Sequence, residues 1–336
     1  MEEKKEARYY EKLPDGKVKC QLCPHTCLIS QTKRGICRVR ENQEGRLYTL
    51  NYGRITAIAM DPMEKKPLYH FYPGRWILSV GTFGCNFHCQ FCQNWQIAHG
   101  DPETLYISPE ALVDKALELE SIGIAYTYSE PIVWFEYVLD TAKLAQEAGL
   151  KNVMVTNGYI NPEPLAELLP FTHAWNIDIK GFNPDFYRRI VGGRLEPVLA
   201  TAKAVAKAGK HLEITTLLVT GLNDNLEELE QLVLWIRDNL GPDTPLHFSR
   251  YFPQYRLHLP PTPLETLYRA RDMARRYLNH VYLGNVPDTR ANSTYCPRCG
   301  SLAIRRTGYD VEPLGLSGGN CRECGTPLAI VREEED

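Results

Sequence analysis

Cys85, Cys89 and Cys92 lie in one short run, GCNFHCQFC, spaced C-x3-C-x2-C with Phe91 just before the last thiol. Three thiolates can hold three corners of a cubic [4Fe–4S] cluster and leave the fourth iron without a protein ligand. An open iron can bind a substrate or cofactor, so the spacing points to chemistry at the metal rather than to electron storage alone. A zinc knuckle is the competing reading. Zinc takes four ligands in a closed site, and His88 or His99 could be the fourth.

All eleven cysteines fall into groups of four, three and four. Cys296, Cys299, Cys321 and Cys324 read C-x2-C-x21-C-x2-C, each pair followed by glycine. That is the pattern of a zinc ribbon, in which the metal staples a module that has little core of its own. Cys20, Cys23, Cys27 and Cys37 read C-x2-C-x3-C-x9-C. Four thiolates suit zinc or an auxiliary [4Fe–4S] cluster equally well on chemistry. Zinc is the reading taken here, with the cluster as its alternative.

The composition frames these groups. The 336 residues carry a net charge of −3, so no basic surface is forced and nucleic acid is not an implied partner. The first residues are densely charged, and no run of about 18 apolar residues is present. The expectation is a cytoplasmic protein with no membrane partner. In that compartment so many cysteines argue for metal over disulfides.

The elements that must position the middle thiols alternate from residue 76 onward. Strands are expected over 76–81, 124–128, 152–156, 174–180, 212–219, 246–251 and 281–285, with helices between them. Ser108 before Pro109 and Glu110 starts one helix, and Asp224 or Asn225 starts another. Gly149 and Gly209 close two more. Six or seven βα units imply a parallel sheet with helices outside it. The expected fold class is α/β, a partial (β/α)6-type barrel over 76–290. A small Cys-rich N-terminal module over 1–75 precedes it, with a β-hairpin or bulge turning at Gly53. A zinc-ribbon-like module with an acidic, frayed tail follows over 291–336.

In such folds ligands gather at the C-terminal ends of the strands. The cysteine triplet follows the first strand. Tyr128, Ser129 and Glu130 end the second, Asn157 the third, Asp178 and Lys180 the fourth, and His247 lies on the sixth. Each has a plain structural reading: Asn157-Gly158 as a turn, Glu130 as a helix N-terminal acid, Asp178 as a buried acid paired with Lys180. Phe83, Phe87, Phe91 and Trp95 would serve as core packing or as cover for a dry pocket.

The triplet resembles the radical S-adenosylmethionine (SAM) superfamily. There the open iron is chelated by the amino and carboxylate groups of SAM, and an electron splits SAM into methionine and a 5′-deoxyadenosyl radical. Tyr128-Ser129-Glu130-Pro131 resembles the glycine-glycine-glutamate motif of that superfamily, with Tyr128 and Ser129 where glycines usually lie. Asn157-Gly158, Asp178-Ile179-Lys180, the stretch from Ile214 to Asp224, and His247 are similar to segments of glycyl-radical-enzyme activating enzymes. Over nearly the whole chain, with Glu64 to Phe71 and Leu283 to Pro287, the sequence resembles the AmmeMemoRadiSam-system radical SAM enzymes. These are relatives of the pyruvate formate-lyase activating enzymes.

The resemblance implies an oxidoreductase with a [4Fe–4S] cluster on Cys85, Cys89 and Cys92. SAM would sit against Phe91, Tyr128, Ser129, Glu130, Asn157, Asp178, Lys180 and His247. It implies hydrogen abstraction from a protein substrate and a reduced ferredoxin or flavodoxin-type electron donor. It also implies Memo-like and AMMECR-like partner proteins. Radical modification of a small metabolite, or a non-enzymatic multi-zinc adaptor, are the alternatives.

Overall fold

Apolar runs that alternate with amphipathic helices become one mostly parallel sheet. The computed structural model describes residues 5–332, so the acidic stretch 333–336 lies outside the described residues. The central sheet has eight strands that follow chain order from edge to edge. Strand β1 (Ala57–Pro62) runs antiparallel to β2 (Trp76–Gly81). The others follow in parallel: β3 (Gly123–Tyr126), β4 (Lys151–Thr156), β5 (Ala174–Asp178), β6 (His211–Leu218), β7 (Leu246–Arg250) and β8 (Val281–Gly284). Every residue of β3 is buried, as expected of a strand covered on both faces.

The six connecting helices are α1 (Pro109–Glu118), α2 (Phe135–Glu147), α3 (Pro162–Leu168), α4 (Leu195–Lys207), α5 (Leu226–Asn239) and α6 (Leu264–Ala274). Their ends follow local chemistry. The Ser108 hydroxyl accepts from the Ala111 N–H at 3.2 Å. Asn225, not Asp224, caps α5, accepting from the Glu227 and Glu228 N–H groups. Each cap satisfies N–H groups that a helix start leaves without carbonyl partners. Gly149 closes α2 with φ +80°, where a side chain would be strained. Helix α2 begins later than its apolar pattern implied, because Pro131–Trp134 form a tight 3-10 turn first.

The stretch 46–59 departs from the expected hairpin about Gly53. Arg46–Thr49 pairs with Arg40–Gln43, Arg54–Ile55 pairs with Leu105–Tyr106, and 57–62 is β1 of the central sheet. A Cβ on Gly53 would stand 2.4 Å from the Tyr106 ring, so this glycine serves a close approach and not a hairpin turn. The pairing partners lie up to 52 residues away, beyond the reach of a local pattern.

Two small β modules clamp the sheet. Tyr10–Lys12, Val18–Cys20 and Leu28–Ile29 form an antiparallel sheet near the N-terminus. Arg40, 1% exposed, joins this region to α2 through two hydrogen bonds to Glu136 at 2.7 and 2.9 Å. At the other end Thr294–Tyr295, Leu302–Thr307 and Asp310–Glu312 form a second sheet. Its Arg306 is fully buried and reaches the Tyr69 carbonyl at 2.6 Å, Thr294 Oγ1 at 2.7 Å and Glu64 at 3.4 Å. Among the described residues no helix is long and apolar enough to cross a membrane.

Candidate active site at the strand ends

Gly81 ends β2, and the chain passes at once into the cysteine loop. A Cβ on Gly81 would stand 2.7 Å from the Thr127 carbonyl, so glycine lets the ends of β2 and β3 close together. The loop is latched on several sides. The His88 and Gln90 N–H groups donate to Val191 and Ile190, Asn86 Nδ2 donates to the Tyr159 carbonyl at 2.8 Å, and Asn94 Nδ2 donates to the Tyr128 carbonyl at 2.6 Å. Cys89 is buried, while Cys85 and Cys92 are partly exposed.

Sulfur spacing separates the two metal readings. One zinc ion holds its sulfurs about 3.8 Å apart, given a Zn–S bond of about 2.3 Å. A cubic cluster takes each thiolate on a different iron, so its sulfurs stand further apart. Among the described residues, only Cys296, Cys299, Cys321 and Cys324 bring three or more ligand atoms all within 4.8 Å of one another. There, Cys296 to Cys324 and Cys299 to Cys321 are each 3.6 Å apart. Cys85, Cys89 and Cys92 form no such compact set among the described residues, as expected of thiols that each take a different iron. Neither His88 nor His99 joins it in a compact ligand set; their rings stack on one another at 5.2 Å.

The neighbouring strand ends supply polar groups around this loop. Asn157 Nδ2 lies 3.8 Å from Cys85 Sγ. Glu130 is 3% exposed and accepts from Thr156 Oγ1 at 2.5 Å, the Asn157 N–H at 2.8 Å and the Ile132 N–H at 2.9 Å. Burial pushes its carboxyl up to about 7, against these hydrogen bonds, which favour the charged form. Asp178 and Lys180 pair at 2.6 Å. Burial works against the Lys180 charge, but Asp178 and Cys89 beside it outweigh that cost and raise its pKa. Phe91 is buried and stacks on Phe186.

Tyr128 stands where the resembled motif has glycine, and its backbone keeps a glycine-like conformation at φ +68°. Its side chain turns into the sheet interior. There the hydroxyl donates to Asp61 at 2.5 Å, and the Lys66 ammonium sits 4.6 Å above the ring. Lys66 is 1% exposed and reaches Asp61 at 2.6 Å. These contacts offset the cost of the left-handed backbone. Asp61, Lys66, Asn86 and Asn94 were not singled out from the sequence as site residues. Lys66 lies in the resembled run from Glu64 to Phe71, and Asn86 and Asn94 flank the cysteines, which was the available signal.

His247, the expected cofactor contact on the sixth strand, is held by a carboxylate. It is 2% exposed, its Nε2 is held by Glu213 at 2.6 Å, and its ring packs against Tyr69 and Tyr282. Glu213 also accepts from His211 Nε2 at 2.9 Å and the His70 N–H at 2.7 Å. His247 is therefore part of a buried hydrogen-bond network centred on Glu213. Ser129, by contrast, keeps a buried hydroxyl with no hydrogen-bond partner, as does Thr215 on β6, which pairs in register with Asp178. Orphaned polar atoms of this kind fit a ligand that completes them.

Comparison with known proteins agrees with this geometry. The radical SAM superfamily profile matches residues 79–236. The chain is 46% identical over 334 residues to the uncharacterized protein MJ0808 of Methanocaldococcus jannaschii, covering 97% of this chain and 99% of that one. It is 27% identical over 164 residues to a pyruvate formate-lyase-activating enzyme of Clostridium pasteurianum, covering 46% of this chain and 67% of the relative. Among solved structures, a radical SAM methyltransferase from Sphaerobacter thermophilus superposes with a TM-score of 0.50 at 19% identity, covering 69% of this chain and 71% of that one, a likeness of fold. Residues 79–236 of the chain match the radical SAM superfamily, whose chemistry uses a [4Fe–4S] cluster and SAM.

Proposed function

We propose that Cys85, Cys89 and Cys92 hold the catalytic cluster, and that SAM on its open iron faces Phe91, Tyr128, Ser129, Glu130, Asn157, Asp178 and Lys180. When bound, the pair supplies one-electron reductive cleavage of SAM to a carbon-centred radical that takes hydrogen from a substrate. The observation that carries this reading is the cysteine triplet in the loop that follows β2, with Asn157 Nδ2 3.8 Å from the Cys85 sulfur.

The chain's own residues orient and shield. Asn157 offers an N–H donor toward a ligating sulfur, which tunes a metal site through its outer contacts. Glu130 fixes the start of the β4 loop by holding Thr156 and Asn157. The Ser129 hydroxyl is free to meet a polar group of the cofactor. Buried Phe87 and Phe91 keep water from the loop.

For the substrate, the likeness to activating enzymes supports a hydrogen carried on a protein, with an external reduced ferredoxin or flavodoxin-type donor. Memo-like and AMMECR-like proteins are the partners the sequence resemblance favours. The 3.6 Å sulfur contacts of the C-terminal quartet support zinc in a ribbon-like module.

Anaerobic reconstitution followed by SAM and dithionite tests the cofactor chemistry, with 5′-deoxyadenosine as the readout. A brown protein that forms it supports the reading. A colourless, zinc-only protein that leaves SAM intact would overturn it. Deuterium transfer into 5′-deoxyadenosine from labelled candidate proteins, and not from labelled metabolites, is the outcome expected for a protein substrate.

A further inference from the structure

The N-terminal cysteines enclose a second buried site. Cys20, Cys23, Cys27 and Cys37 line one cavity together with Arg40 and Asn86. Three of the four thiols are buried, and the fourth, Cys27, is partly so. Two observations say what the cavity takes.

The first is spacing. The chain carries two internal standards: a C-terminal quartet drawn in to 3.6 Å, and a middle triplet that forms no compact ligand group among the described residues. The N-terminal quartet matches the second. Among the described residues its sulfurs form no compact ligand group of the kind the C-terminal quartet makes, although all four cysteines line the same cavity. A lone zinc ion would have to pull such thiols together, whereas four irons at the corners of a cube meet them where they stand.

The second is Arg40. Its guanidinium is 1% exposed, and two of its bonds go to Glu136. Its Nε is buried with no hydrogen-bond partner among the described residues. A buried, unpaired N–H is costly. At the wall of a thiol cavity it is suited to an anionic acceptor, a cluster sulfide or a ligating thiolate.

We infer that Cys20, Cys23, Cys27 and Cys37 bind a second [4Fe–4S] cluster, not zinc, and that Arg40 Nε donates to it. The site is fully ligated by protein, so it offers no open iron. It also abuts the middle cysteine loop. Asn86, which follows Cys85, forms part of its wall, and His25 Nε2 donates to the Asn86 carbonyl at 2.7 Å. A Cβ on Gly84 would stand 2.8 Å from the Cys37 carbonyl and 2.5 Å from Val39, so the two cysteine segments touch through a glycine. The inference shares the cluster reading of Cys85, Cys89 and Cys92 but is decided separately from it.

The test counts metals and reads their spectra in anaerobically reconstituted protein. The wild type should hold about eight irons, about eight sulfides and about one zinc per chain. A Cys85→Ala, Cys89→Ala, Cys92→Ala triple variant leaves the N-terminal module untouched. It should keep about four irons with the Mössbauer signature of a [4Fe–4S] cluster. Adding Cys20→Ser and Cys23→Ser to it should remove that iron. A triple variant with no iron and about two zincs overturns the inference. So does a wild type that cleaves SAM with only about four irons and two zincs, and that result leaves the proposed function standing. If the triple variant is unfolded by circular dichroism, the wild-type iron count and spectrum decide alone.

Discussion

Asn157 and Cys85 meet across the ends of two strands that are not neighbours, with Asn157 Nδ2 3.8 Å from the sulfur and 2.8 Å from Asn86 Oδ1. One amide thus ties the end of β4 to the cysteine loop that follows β2. Outer contacts of this kind are worth roughly 10- to 100-fold in metal affinity or activity. Asn157→Leu is expected to keep its iron and slow 5′-deoxyadenosine formation by at least about tenfold. Unchanged turnover at unchanged iron content would remove Asn157 from the site.

Cys89 is the buried member of the triplet. Cys89→Ala is expected to lose the middle cluster and all SAM cleavage while the far-ultraviolet spectrum stays that of the wild type. Retained cleavage would take the triplet out of the mechanism.

The C-terminal quartet holds together a module whose core is small. A structural metal contributes folding free energy directly. Cys296→Ser with Cys299→Ser should lower the zinc content by about one per chain and lower the melting temperature. A variant that melts with the wild type would show that the site contributes nothing to stability.

Arg306 links that module to the sheet through Glu64, with both side chains fully buried. Removing one partner of such a pair leaves an uncompensated buried charge, at a cost of about 3–5 kcal/mol. Arg306→Met should therefore shift the denaturant midpoint down sharply. The double variant with Glu64→Gln should recover part of the loss. A midpoint within error of the wild type in the single variant contradicts the pairing.

Acid should destabilise the fold before the carboxylates titrate. Burial pushes His280 and His173 down to about 4. The unfolded chain takes up these protons near about 6.5 and the folded chain only near 4. Between those values the unfolded chain binds more protons, so stability is full above about 6.5 and falls as pH drops toward 4. Glu130, raised to about 7 by burial, acts in the opposite sense, and its contribution is lost as pH rises from about 4.5 to 7. Two histidines against one carboxyl leave a net loss on the acid side. Melts at about pH 7.5 and about pH 5 should give the lower temperature at pH 5. An equal or higher value there would contradict the sign.

What the sequence by itself determined is what depends on neighbours a few residues apart. The C-x3-C-x2-C run, the Ser108 cap, the stop at Gly149 and the alternation of strand and helix all act within one or two turns of chain. The strand-end placement of Glu130, Asn157, Asp178 and Lys180 followed, because a parallel sheet puts every such end on one side. Only the tertiary structure decided which way His247 points, since Glu213 on the next strand captures its ring. It also made 57–62 an edge strand of the sheet and set Tyr128 on Asp61 and Lys66. The gathering of the N-terminal cysteines around one cavity was settled in the same way. Spacing along a chain limits how near two thiols can come, but the distance they keep is set by what packs between and around them.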